Sequence, residues 1–364
     1  VQVVNVKIAM AHEADGDQGN AWLQTHADGA GTGPYRITQF EPGNQLVMER
    51  YDGYWGGWDG AHFDRIIIRV VEEAETRRQL LERGDVDIAQ GFGPEAIAAL
   101  ASAPGVRVDH APSTDVIYFV LTEGGPLTKP EARQAMCYAF PYDKVLAGVY
   151  DGAYTRAVGP VAATVQGFNP DTFVYPTDLA KAKELFAKAG LAEGTEVNLM
   201  TETGFELANS IAQLFQSNLA QVGITLKIEQ VDTPTFTGTF YGDAPADERP
   251  QVMWWSWWPD YSDAYNQLYP IVSCNSWGSK GGNGGFYCNK RVDELLTQAK
   301  DAADLDVYKK ALAEAQQIVT RDDPAAIYYA QAPQETPLRD DIAGFVANPI
   351  NIGTYDFYKL SRKA

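Results

Sequence analysis

Residues 196–228 hold the pattern that most restricts how this chain can fold. Glu196–Met200 alternates with Val197 and Leu199 on one side, as a half-buried strand does. Leu207, Ile211, Leu214, Phe215, Leu219 and Val222 then keep the i, i+4, i+7, i+8 spacing of an amphipathic helix. Gly223 ends it, and Ile224, Leu226 and Ile228 alternate again. Strand, helix and strand within about 30 residues make a βαβ unit, which requires a parallel pair joined by a right-handed crossover.

The surrounding pattern is also α/β. Leu127–Tyr142 and Asp178–Ala189 read as helices, the second with Leu179, Ala182, Leu185, Phe186 and Ala189 on one face and Gly190 as its C-cap. Gln251–Trp255 reads as a strand whose residues after Gln251 are all apolar, which suits a central strand covered on both faces. A helix with Tyr308, Leu312, Ala315 and Val319 in register precedes a strand at Ala326–Ala330, with Pro324 at the boundary.

Upstream the pattern is different. A polar, irregular lead-in of about 29 residues gives way to the strands Tyr35–Phe40, Gln45–Arg50 and Arg65–Val71. Glu72–Arg83 reads as a helix stopped by Gly84 in the left-handed region. Asp340–Leu360 returns to short strands. A strand-rich segment, an inserted α/β unit and a strand-rich return predict two lobes. Residues 1–114 with 334–364 form lobe I, residues 115–333 form lobe II, and the backbone crosses near 112–116 and 331–337.

The chain of 364 residues carries 48 acidic against 29 basic side chains, a net charge of −19. Nucleic-acid binding needs a basic face that displaces counterions, so no nucleic-acid partner is expected. The same charge disfavours docking on anionic lipid. No run approaches the ~18 apolar residues of a membrane span. His12, His26, His62 and His110 are scattered without metal-ligand spacing, so neither a metal nor a cofactor is expected. Gly29–Pro34 has glycines without the dinucleotide-binding spacing, and neither a Walker loop nor a Gly-x-Ser-x-Gly turn occurs.

Cys274 and Cys288 flank a glycine-rich loop, while Cys137 lies in the apolar run Ala135–Phe140. One loop-closing disulfide and one buried thiol is the economical reading, and it implies an oxidising compartment. Two unrelated surface thiols are the alternative.

In open α/β sheets ligands bind beyond the carboxyl ends of the strands. Beyond Gln251–Trp255 come Ser256–Tyr265, and four tryptophans, Trp254, Trp255, Trp257 and Trp258, fall within five positions. Alternation sends neighbours to opposite faces, so Trp254 and Trp255 are expected in the core. Trp257 and Trp258 are expected past the strand end, lining a site with Asp260, Tyr261, Asp263 and Tyr265. A carboxylate beside flat rings suits an ammonium or a sugar. Asp260 as a turn cap after Pro259 is the competing reading. Asp260 and Asp263 as a hydrolase pair is a remote one, because an acidic chain offers many such pairs.

These residues together resemble the dipeptide/oligopeptide-binding family of receptors for ABC importers. The resemblance rests on Gly31-Thr-Gly-Pro-Tyr35, Tyr54-Trp55-Gly56, Gly84-Asp-Val-Asp87, Pro126-Leu127 with Arg133-Gln-Ala-Met136 and Tyr138-Ala-Phe140, Ala180–Leu185 with Ala189-Gly190, and Val292–Leu296. It implies a periplasmic-binding-protein-like clamshell, α/β with mixed sheets and a two-strand hinge, that closes on a solute in an interlobe cleft. It implies a monomer with no catalytic residues, working outside the cytoplasm, either periplasmic or extracellular, with lipid anchoring at the membrane surface as a variant of either, and handing its solute to a membrane permease. Peptide-binding members hold the ligand's α-amino group with an Asp after the Trp-rich strand, and Asp260 matches it, as Trp257 matches a Trp just before. The Cys274/Cys288 pair resembles a disulfide seen in some members.

Two departures stand out. Dipeptide-binding relatives carry an Arg for the ligand's carboxylate after the strand corresponding to Glu196–Met200, and Thr201–Glu206 has none. That points to an oligopeptide rather than strictly a dipeptide, with an oligosaccharide or opine-type solute as the alternative. Family members also run well over a hundred residues before the Gly-Thr-Gly-Pro motif, so the expectation is a chain lacking the N-terminal part of lobe I and an extra subdomain.

Overall fold

The computed structural model describes residues 4–23, 26, 30–350 and 353–363. It divides into two compact units. The first is built from the described residues up to His110, with Glu335–Asn348 and those from Gly353 on; the second is Ala111–Gln334, joined by Pro349 and Ile350.

The lead-in expected to be irregular holds two short helices, Val6–Ala11 and Asn20–Leu23. Both are too short to show a periodicity. Next come β1 (Tyr35–Glu41), β2 (Gln45–Arg50) and β3 (Arg65–Arg69), an antiparallel sheet in that order. Helix α1 (Ala74–Arg83) follows, and Gly84 closes it at φ 77°, a conformation L side chains resist. Helix α2 (Pro94–Ala101) begins on a proline, whose missing N–H costs nothing in a first turn. Leu81, Ala89, Leu100 and Val106 form this unit's small core.

β4 (Val106–Leu121) carries the backbone from the first unit into the second. There follow α3 (Pro130–Ala139), β5 (Thr155–Arg156), α4 (Leu179–Ala189), β6 (Thr195–Glu202), α5 (Glu206–Gln221) and β7 (Ile224–Val231). Then come α6 (Thr233–Phe240), β8 (Val252–Trp257), α7 (Ala264–Val272), α8 (Lys290–Asp301), α9 (Leu305–Gln317) and β9 (Ala326–Arg339). β9 returns the chain to the first unit, where Ile342–Ala343 pairs antiparallel with Ser361–Arg362.

The second unit is organised on one mixed sheet, ordered β5-β9-β4-β8-β6-β7. β6 and β7 pair in parallel from Thr195↔Ile224 to Glu202↔Val231, as the βαβ pattern required. β8 lies parallel to β6 and antiparallel to β4. Strand alternation builds two cores from this sheet. Ile117, Phe119, Leu121, Leu199 and Val252 meet Phe140, Phe186 and Phe215 from α4, α5 and the end of α3. Val116, Tyr118, Val120, Met200 and Met253 meet Phe236, Leu268, Leu296 and Leu312 from α6–α9 on the other face. Helices on both sides explain why β8 reads as a continuous apolar run.

A buried ion cluster braces one side of this unit. Arg133, 1% exposed, pairs with Glu123 and Asp323, and its guanidinium also donates to the carbonyls of Leu127, Thr128 and Pro324. Burial, with Asp323 nearby, pushes Glu123 up to about 7 despite Arg133.

Candidate functional site

β8 ends where the tryptophans begin. The strand runs through Trp257, which pairs with Val116. This corrects the expectation that Trp257 lies beyond the strand. The antiparallel partner β4 was absent from the sequence reading, and pairing with it extends β8. Trp254, Trp255 and Trp257 are all half-buried. Alternation divides them as expected. Trp254 packs on the first core, Nε1 donating to the Tyr329 hydroxyl at 3.0 Å, with Phe205 against its ring at 4.5 Å. Trp255 and Trp257 pack on the second, Trp255 stacked on Phe240 at 4.0 Å.

The loop past β8 is held at both ends. Trp257 Nε1 donates to the carbonyl of Asn266 at 3.4 Å, and the backbone N–H of Asp260 donates to Asn266 Oδ1 at 2.6 Å. Gln267, fully buried, donates to the carbonyls of Thr114 and Trp257 and accepts from the N–H of Ala162. Gln267 carries no signal in the sequence, since a buried amide's role is set by the backbone groups around it.

The predicted site residues separate by environment. Trp258 is 44% and Tyr261 54% exposed, and the Asp260 side chain is exposed between them in sequence. Asp263 is the N-cap of α7; its Oδ1 accepts from the Tyr265 N–H at 2.8 Å and from the Tyr308 hydroxyl. Tyr265, half-buried, stacks on Tyr269 at 5.4 Å, and burial pushes its hydroxyl up to about 12. Asp260 thus presents a carboxylate and its neighbours present rings, while Asp263 and Tyr265 are engaged in holding the loop.

Beside the end of β8 lies a carboxylate that the sequence does not mark. Asp115 sits on β4 one position before Val116, the partner of Trp257. Its Oδ1 is closed off from solvent and has no hydrogen-bond partner among the described residues. Burial pushes the group up to about 6, and a hydrogen bond from Ser256 pulls weakly the other way.

Cys274 and Cys288 are joined in a disulfide, with Cα atoms 4.6 Å apart, and Cys137 is a buried thiol. The loop it closes is tied to the ion cluster, since the N–H of Cys288 donates to Glu123. Among the described residues no cluster of His, Cys, Asp and Glu has the arrangement of a metal site, and no helix is long and apolar enough to cross a membrane.

Residues 3–279 match the family of bacterial extracellular solute-binding proteins, family 5, in its middle region. The chain belongs to that family, a family of binding proteins rather than enzymes. It is similar to the probable D,D-dipeptide-binding periplasmic protein DdpA of Escherichia coli K12, at 27% identity over 99% of this chain and 67% of that protein. The dipeptide-binding protein of the same organism is 26% identical over 91% of this chain and 61% of its own length. The chain therefore spans about three-fifths to two-thirds of the length of these relatives. Among solved structures, DppA of Helicobacter pylori in complex with the peptide STSA superposes with a TM-score of 0.85 at 22% identity, over 99% of this chain and 68% of that one. At that identity the likeness is one of fold, and it matches the α/β class with mixed sheets expected from the sequence.

Proposed function

We propose that the protein binds an extracytoplasmic solute, foremost an oligopeptide, at the loop following β8, and delivers it to the permease of an ABC importer. The observation that carries this reading is Asp260, an exposed carboxylate flanked by the exposed rings of Trp258 and Tyr261 on a loop pinned by Asn266 and Gln267. A carboxylate on a fixed backbone makes a strong charge-assisted hydrogen bond to an α-ammonium group. The rings add apolar area and cation–π attraction. Trp257 positions the loop from below, and Asp263 and Tyr265 hold its far end.

The relatives support a peptide, being named for dipeptides and, in the Helicobacter structure, holding one. The loop after β6, Thr203–Phe205, offers no Arg for a dipeptide's carboxylate, which favours a longer ligand. The protein acts as a monomer in the periplasm or at the outer face of the membrane, and nothing in its role requires turnover.

Isothermal titration with Ala-Ala-Ala and N-acetyl-Ala-Ala-Ala tests this reading. Acetylation and Asp260→Asn are each expected to weaken binding at least tenfold, and together no more than either alone. Equal affinity for the free and acetylated peptides, or hydrolysis of either, overturns it.

A further inference from the structure

The strand ends that surround the proposed loop share one sheet edge. β6 and β7 run parallel to β8, so their carboxyl ends lie on the same side as its own, and β4, antiparallel, brings its residues near 115 there. The ring contact between Phe205 and Trp254 places the turn after β6 over β8. Ala111–Ile117, Met200–Glu206, Val231–Phe236 and Ser256–Asn266 carry Asp115, Glu202, Glu206, Asp232, Asp260 and Asp263 and not one Lys, Arg or His. Asp232 and Asp263 are engaged in capping helices. Arg156 of β5, on the same sheet, is bound to the carbonyls of Tyr328, Tyr329 and Tyr175 and lies over the ring of Tyr142.

An acidic edge by itself is only a solvated surface. What distinguishes this one is Asp115. Its Oδ1 is an acceptor withdrawn from water without a donor among the described residues, an arrangement folded chains rarely leave in place. Among the described residues no cation acts on it. It lies on the face of β4 that carries Ile117 and Phe119, which is the face where Trp254, Tyr329 and Tyr150 join their polar ends. Asp115 is close enough for its charge to act on the Tyr150 hydroxyl. The residue as a whole is half-buried, so rotation about its Cβ–Cγ bond turns an oxygen toward an incoming group.

We infer that the site selects ligands bearing a second positive charge, a lysine or arginine side chain of the peptide, and that Asp115 is the acceptor that reads it. The inference rests on the peptide-binding reading above and names its substrate class. Asp260 takes the α-ammonium common to all peptides. Asp115, with Ser256 bonded to it and the Tyr150 hydroxyl within reach of its charge, takes the side-chain ammonium or guanidinium, whose aliphatic stem packs on the aromatic side chains of the same sheet face. An acidic side chain on the ligand meets only like charge.

Titration calorimetry at pH 7.5 with Ala-Lys-Ala, Ala-Nle-Ala and Ala-Glu-Ala tests it, norleucine being lysine's uncharged counterpart. The Lys peptide is expected to bind at least tenfold tighter than the norleucine peptide, and the Glu peptide weaker than both. Asp115→Asn is expected to reduce the Lys advantage to below threefold while leaving Ala-Nle-Ala within threefold of its original affinity. Equal binding of the Lys and norleucine peptides by the unaltered protein overturns the inference without recourse to a variant. A Lys advantage that survives Asp115→Asn overturns the role of Asp115. In both cases the peptide-binding reading stands if Asp260→Asn weakens all three peptides alike. If none of the three binds, that reading falls and takes this one with it.

Discussion

Replacing Asp115 by Asn keeps the shape of the side chain and its contact with Ser256 while removing the ionisation. Burial raises this carboxyl from its ordinary 3.8 to about 6, so between those values the folded chain holds the proton that the unfolded chain releases. Stability therefore falls as pH rises through this window, and the full penalty is present above about pH 7. At about 1.4 kcal/mol per tenfold change in acidity, the penalty is about 3 kcal/mol. Asp115→Asn is accordingly expected to be more stable than the parent by about 2–3 kcal/mol at pH 8. The difference should close as pH falls, to about 1 kcal/mol at pH 4.5, and vanish below the unfolded value of 3.8. Glu123 titrates in the same range but is present in both proteins, so its contribution cancels in the difference. Urea unfolding at pH 4.5, 5.5, 6.5 and 8, followed by near-ultraviolet circular dichroism, gives the comparison directly, and an unchanged denaturant slope shows that the unfolded states match. A variant less stable than its parent at pH 8, or a difference that does not change with pH, would show that Asp115 has a partner and refute the reasoning.

The ion cluster and the disulfide loop give three further expectations. Arg133→Met leaves Glu123 and Asp323 facing each other with no cation between them, and should cost about 3–5 kcal/mol in urea unfolding at pH 8; a loss below about 1 kcal/mol would mean that the pairing contributes little. The double replacement Cys274→Ser with Cys288→Ser opens a loop whose ends are 14 positions apart and should lower stability by about 3 kcal/mol, with dithiothreitol producing the same loss in the parent and none in the variant. Asn266→Ala removes the acceptor of the Asp260 N–H and should weaken binding of Ala-Ala-Ala three- to tenfold with a melting temperature within 2 °C of the parent's; unchanged affinity would show that the loop is fixed elsewhere.

The sequence disclosed what depends on local periodicity. α5 and its flanking strands came out nearly residue for residue, because one face of each is apolar and Gly223, at φ 83°, stops the helix where the pattern stops. The division of Trp254 from Trp255 was equally accessible, since alternation alone sends them to different cores. β4 was not read. Its first half, through Asp109, His110 and Pro112, lacks the look of a strand, yet Val116–Leu121 is an apolar run as plain as the one in β8. Missing β4 had consequences at the site, because β4 extends β8 through Trp257 and brings in Asp115. Nothing in the sequence around Asp115 marks that carboxylate, because its burial and its contact with Ser256 come from residues far away in the chain. Asp263, a site candidate from its place near the tryptophans, also has a local use in the fold, since an Asp one residue before a helix serves as its N-cap.

The two carboxylates of the proposed site differ in the way a selective receptor needs. Asp260 is exposed and stays in water until a ligand arrives, so its pairing is strengthened only by what the ligand excludes. One oxygen of Asp115 is already closed off from water in the free protein, and no cation among the described residues acts on the group to relieve that cost. A mutation to Asn would remove the cost, and so would a ligand ammonium, but only the ligand does so reversibly. A desolvated charge held in place by strand pairing needs little reorganisation when its partner arrives, so more of the interaction appears as affinity. The same logic gives discrimination, since an uncharged side chain at that position leaves the carboxylate unpaired and an acidic one opposes it. Stability given up at one buried residue and recovered on binding is the trade expected of a functional position, and in this chain it falls on the strand that also builds the floor of the loop.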